Sequence, residues 1–142
     1  MLKKATPNLM VEDVNRTVEF YRDILTCFEL VDSEPVSGSL EWAMLRCGEV
    51  QLMFESRRSL SKIIPLFKDK EIGGSLVIYI ELSNIKSLYY RIKDKVKIIQ
   101  DLSATDYGTL EFIIQDCNGF VLVFAEWVGT KDFFEKTVKK KK

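Results

Sequence analysis

One order of patterns runs through this chain twice, and nothing else in the sequence limits the fold so tightly. In the first pass, residues 5–11 are short and apolar, with Leu9 and Val11 on one side and Asn8 and Met10 on the other, which predicts a strand. Asp13 then suits a helix N-cap, its carboxylate accepting from free backbone N–H groups. Val14, Thr17, Val18 and Tyr21 follow at the spacing of one helix face. Residues 28–31, 40–47 and 49–55 read as three strands, the last two joined by a tight turn at Gly48.

The same order then returns. Residues 77–82 read as a strand, Asn84 can cap, and Ile85, Leu88, Tyr89 and Ile92 repeat the helix face, each 71 residues after its counterpart. Residues 97–102, 109–116 and 120–126 supply three more strands. Ser39-Leu40-Glu41-Trp42 answers Thr109-Leu110-Glu111-Phe112 at an offset of 70, as Cys47 answers Cys117. Past the turn, Gly48, Val50, Leu52 and Glu55 answer Gly119, Val121, Val123 and Glu126 at 71. A near-constant offset across helix faces, strand pairs and turns marks a duplication.

The expected fold class is α+β, a single domain of two tandem βαβββ modules at about 4–56 and about 75–128, with a linker at about 57–74. A ferredoxin-like order, βαββαβ, fits less well because three strand patterns follow each helix. In the linker, Leu60, Ile63, Ile64 and Phe67 have the spacing of a short amphipathic helix. Within the closing segment, 129–142, residues 131–138 predict a last short helix ahead of a lysine tail.

Composition narrows the surroundings. Nine Phe, five Tyr and two Trp, in a chain that is 46% hydrophobic, rule out general disorder. No apolar run approaches the roughly 18–20 residues of a membrane-spanning helix, and Met1-Leu2-Lys3-Lys4 leads into a strand pattern without a signal-peptide core. The expectation is a cytoplasmic protein with no membrane partner. Charges balance at 21 basic and 21 acidic, but four of the lysines are the terminal run 139–142. The body without them is acidic and offers no clustered basic surface, so no nucleic-acid partner is expected. Cys27, Cys47 and Cys117, odd in number and widely spaced, suit neither a disulfide framework nor a zinc cluster, which points to a reducing compartment.

The opening run Thr6-Pro7-Asn8-Leu9-Met10-Val11-Glu12-Asp13-Val14, followed by Phe20-Tyr21-Arg22-Asp23, resembles the start of the glyoxalase, bleomycin-resistance and extradiol-dioxygenase superfamily. So does the close, with Tyr107-Gly108, Asp116-Cys117-Asn118-Gly119 and Phe124-Ala125-Glu126. The chain departs from the pattern at Cys117, where the family usually has Pro, at Phe120, where it often has Asn, and at Thr26-Cys27, where Gly is common. The resemblance implies two curled sheets enclosing a cleft, with helices outside. It also implies metal-ligand positions on the first and fourth strands of each module, which here hold Thr6, Leu52, Val77 and Val123. None is a usual ligand, and the chain has no histidine, so no metal and no cofactor are expected. No Ser/His/Asp or Cys/His arrangement is possible and no Gly-rich phosphate loop occurs, so no catalytic residue is assigned.

Strand parity then names the cleft side that the resemblance implies: Thr6, Asn8 and Met10; Val77, Tyr79 and Glu81; Leu52 and Phe54; Val121, Val123 and Ala125. Trp42 and Phe112, at equivalent repeat positions, offer flat surfaces for stacking, and Glu81 and Glu111 offer negative charge to a cationic ligand. Glu55 and Glu126, by the same parity, point away from the cleft. Each of these side chains taken singly also fits ordinary packing. Three functions fit the set. The favoured one is a metal-free, homodimeric binding protein that sequesters a small organic molecule, as bleomycin-resistance proteins sequester an antibiotic. The second is a lyase, isomerase or dioxygenase with an atypical metal site, and the third is a structural or regulatory module whose cleft its own side chains fill.

Overall fold

The computed structural model describes residues 1–129. The expected last helix and the lysine tail lie outside the described residues. The chain divides into two units, Met1–Gly74 with Cys117–Gly119, and Ser75–Asp116 with Phe120–Lys142.

In the first unit the order is β1 (Asn8–Val11), α1 (Val14–Glu19) running into a π-helical turn Phe20–Ile24, β2 (Glu29–Glu34), β3 (Trp42–Cys47), β4 (Val50–Ser56) and α2 (Arg57–Ile63). Its sheet is mixed, in the order β1-β4-β3-β2, with β1 parallel to β4. Asp13 caps α1 as expected, accepting from Arg16 N at 3.0 Å. The predicted face, Val14, Thr17, Val18 and Tyr21, is buried. Tyr21 closes the core, its ring 4.9 Å from Phe54 and 5.3 Å from Phe28 between centroids. The linker helix forms as α2, with Ser56 at its N-cap, followed by a 3-10 turn Pro65–Phe67.

The second unit repeats the plan with β5 (Val77–Glu81), α3 (Ile85–Ile92), β6 (Lys97–Ala104), β7 (Thr109–Gln115) and β8 (Val121–Trp127). The sheet order is β5-β8-β7-β6, again with the first strand parallel to the last. Two tandem βαβββ modules, each a four-stranded mixed sheet, are therefore the architecture. Ile85, Tyr89 and Ile92 are buried, and Tyr89 meets Phe112 at 5.1 Å, which stacks on Phe124 at 5.0 Å. Asn84 adopts a left-handed φ of 59° and makes no side-chain cap. Glu126 takes over that role from β8, accepting from Asn84 N at 2.9 Å and Ile85 N at 3.1 Å, where the helix dipole also favours an anion. Glu126→Ala is expected to lose about 0.5–2 kcal/mol in urea denaturation, the range of a lost N-cap; an unshifted midpoint would contradict the capping role.

The repeat is less regular than one offset suggests. Strand register pairs Ala43 with Phe54 in the first unit and Phe112 with Phe124 in the second. Phe112 thus corresponds to Ala43, not to Trp42, and Phe124 corresponds to Phe54. The cause is turn length: Arg46 pairs with Gln51 across four residues, whereas its counterpart Gln115 pairs with Val121 across five, with Asp116 and Phe120 bonded to each other. Counting from the turn glycine therefore slips β4 by one residue, and a slip of one turns every side chain to the opposite face.

A second correction concerns the cysteines. Cys27 and Cys47 lie within disulfide reach, their Cα atoms 5.5 Å apart. Twenty residues separate them in sequence, but antiparallel pairing of Glu29 with Arg46 folds the start of β2 back onto the end of β3 and brings them together. Spacing along the chain carries no trace of that register.

Candidate ligand-binding site

Each sheet has one face under α1 or α3 and one face free of that helix, which in the first sheet α2 reaches through Ser59. Residues directly opposite in register point the same way, so the pairs sort the side chains. In the first sheet, Leu52 and Phe54 lie under α1: they are 1% and 0% exposed, and Phe54 meets Tyr21. Their expected place on the open face is therefore corrected. Phe112 is corrected likewise, fully buried under α3 between Tyr89 and Phe124.

The helix-free face of the first sheet carries Asn8 opposite Met53, Met10 opposite Glu55, and Trp42 opposite Glu55 on the other side. Thr6 precedes β1 and is half-buried. Glu55 sits on this face, contrary to its expected direction, because the turn slip reverses its parity. Its two oxygens accept from Asn8 Nδ2 at 2.8 Å and Ser59 Oγ at 2.6 Å, so the buried carboxylate is satisfied within the unit.

The helix-free face of the second sheet carries Val77, Tyr79 and Glu81 from β5, Glu111 from β7, and Val121, Val123 and Ala125 from β8. These match their expected side. Trp127 extends the same alternation, opposite Thr109. Three hydroxyls converge on Glu111 Oε2: Tyr79 at 2.9 Å, Tyr107 at 2.9 Å and Thr109 at 2.7 Å. Burial works to raise the Glu111 pKa, but the three donors together outweigh it and hold the carboxyl below its usual range. Burial and then the bond to Glu111 push the Tyr79 phenol up, whereas for Tyr107 the bond to Glu111 comes first.

These shifts set a pH dependence. A carboxylate held below its usual pKa adds stability that is present above that usual value and is lost as pH falls through the folded one. Phenols held above theirs add stability that is present below the usual value and is lost as pH rises through the folded one. Glu111→Gln is therefore expected to flatten both the acidic and the alkaline limb of the stability profile. Urea denaturation across pH checks this, and two unchanged limbs would contradict it.

Beside this cluster is a hollow of about 430 Å3, lined in part by Tyr79, Glu81, Leu82, Thr109, Ala125 and Trp127. A hollow of about 530 Å3 occupies the corresponding end of the first sheet, lined in part by Glu12, Asp13, Ser39, Glu41 and Arg58. There Glu41 accepts from Ser56 Oγ at 2.5 Å and forms an ion pair with Arg58. Tyr107, Thr109 and Trp127 were not among the expected site residues. Extending the β8 alternation by one step would have found Trp127, and Thr109 two before Glu111 shares its face; Tyr107 lies in a turn, where periodicity gives no signal.

A family model for the glyoxalase/bleomycin resistance protein/dioxygenase superfamily matches residues 5–124. The chain belongs to that superfamily. Solved structures with the same fold include TioX from Micromonospora sp. ML1, with TM-score 0.70 at 17% identity, covering 89% of this chain and 99% of that one. A protein of unknown function from Agrobacterium tumefaciens str. C58 has TM-score 0.74 at 21% identity, covering 90% and 96%. A bleomycin-binding protein, solved in complex with bleomycin, has TM-score 0.62 at 19% identity, covering 88% and 98%. No curated protein matches by sequence.

Superfamily members that use a metal place ligands on the first and fourth strands of each module. Observed register puts Thr6, Val77, Met53 and Val123 at those four positions, with Met53 replacing Leu52. One hydroxyl, one thioether and two alkyl groups do not fit a catalytic divalent metal, which wants imidazole or carboxylate donors. Among the described residues no group of three or more His, Cys, Asp or Glu side chains is placed to hold a metal ion, and no helix is long and apolar enough to cross a membrane.

Proposed function

We propose that this chain is a small-molecule-binding protein of the bleomycin-resistance type, which holds an organic ligand on its helix-free sheet faces without a metal and works as a homodimer in the cytoplasm. The observation that carries this reading is the aromatic surface of the second sheet. Tyr79 and Trp127, 48% and 64% exposed, line a hollow of about 430 Å3 beside a buried carboxylate whose hydroxyl partners, exposed Tyr107 among them, are all neutral. Large aromatics left exposed together beside fixed polar groups are the composition of a ligand site rather than of a solvated sheet face. The likeness to a bleomycin-binding protein supports the same reading, as does the donor set at the superfamily's metal positions. Second-copy contact would cover part of the exposed surface, including Val77.

The test is thermal denaturation in the presence of EDTA against a panel of organic molecules, bleomycin among them. A ligand that binds only the native state raises the melting temperature by mass action. At least one organic compound is expected to do so with the chelator present. A rise produced only by a divalent metal, and abolished by EDTA, would contradict the proposal and favour the enzyme reading.

A further inference from the structure

Resting on that reading, we propose that the hollow at the end of the second sheet is a site for a small organic cation, a substituted ammonium group carried on an apolar body. Two of its walls are the aromatic side chains of Tyr79 and Trp127, and a cation over such a ring face is held by the ring quadrupole. Ala125 and Leu82 supply apolar lining against which an alkyl or aryl body loses water.

The charge of the ligand follows from a comparison of the two units. At the first hollow the protein supplies both signs, Glu41 paired with Arg58. At the second, Glu81 lines the wall and Glu111 stands behind Tyr79 and Thr109, yet every bond described on Glu111 comes from a neutral hydroxyl. Among the described residues, no Lys or Arg forms an ion pair with Glu81, Glu111 or Glu126. The position 70 residues after Arg58, the offset that register gives between β4 and β8, is Val128. Among the described residues the carboxylates of the second unit thus stand without the guanidinium that accompanies one in the first, and a cationic ligand would bring the opposite charge. Tyr79 is set for the same purpose: its hydroxyl donates to Glu111, which leaves the oxygen lone pairs to accept from a ligand N–H.

The probes are benzylammonium chloride and benzyl alcohol, which share an aromatic body and differ in charge. Each is titrated into the full chain in EDTA and followed by calorimetry and tryptophan fluorescence. The cation is expected to bind about tenfold more tightly than the alcohol, the gain of a partly desolvated cation–π contact with carboxylate support. Glu81→Gln should weaken the cation by about threefold and leave the alcohol unchanged, and Trp127→Ala should weaken both. Both side chains are exposed, so the variants keep the fold. Equal affinity for the two probes, or cation binding untouched by both substitutions, overturns the cation site and leaves the broader binding reading standing. Absence of binding by either probe in the millimolar range overturns it also, whereas the broader reading falls only if the organic panel in EDTA is empty as well.

Discussion

Replacing Phe112 by alanine is expected to remove about 3–5 kcal/mol of folding stability, the cost of a large aromatic truncated inside a packed core. Phe112 is fully buried, edge-on to Tyr89 at 5.1 Å and stacked on Phe124 at 5.0 Å. Its removal leaves a void that α3 and β8 cannot close without moving buried neighbours, because interiors are close-packed. The result separates two roles for one residue. A side chain that stacked on a ligand would, when truncated, lower affinity and leave stability nearly unchanged. Urea denaturation decides between them, and a loss within the surface range of about 0.5 kcal/mol would return Phe112 to the ligand site.

Tyr21→Ala is expected to cost as much, again about 3–5 kcal/mol. The residue is fully buried and its ring meets Phe20 at 5.4 Å, Phe28 at 5.3 Å and Phe54 at 4.9 Å, so one side chain ties the end of α1 to β2 and β4. Ile92 holds the repeat-related place in the second unit, also fully buried, and Ile92→Ala is expected to lose about 2–5 kcal/mol. Changes below experimental error at both positions would undo the assignment of these two helix faces to the cores.

The helix faces were legible because burial on a helix recurs at a fixed period, and Val14, Thr17, Val18 and Tyr21 announce themselves by spacing alone. Strand order was legible for a related reason, since the second half repeats the first. Strand parity was legible only where no turn intervened. Val77, Tyr79 and Glu81 kept their side because their count starts within one strand. Leu52, Phe54 and Glu55 reversed theirs because the count crossed a turn whose length differs between the modules.

What depended on non-local contact was not legible at all. Cys27 and Cys47 meet through the register of β2 on β3, and no spacing rule encodes a register. Glu126 had its direction correct, away from the helix-free face, but its work at the start of α3 depends on where the end of β8 lies. Glu111 was visible as a charge and invisible as a cluster. Its three donors come from β5, a turn and β7, which only the folded sheet brings within reach of one oxygen.

Native mass spectrometry of the tag-free protein from its own host tests the central claim most directly, because one spectrum reports subunit number, bound metal and any retained small molecule. A dimer carrying an organic adduct and no metal is the predicted result, and the adduct's mass would identify the ligand's class. A stoichiometric divalent metal would contradict the claim: it would require ligands other than Thr6, Met53, Val77 and Val123 and would move catalysis to the front.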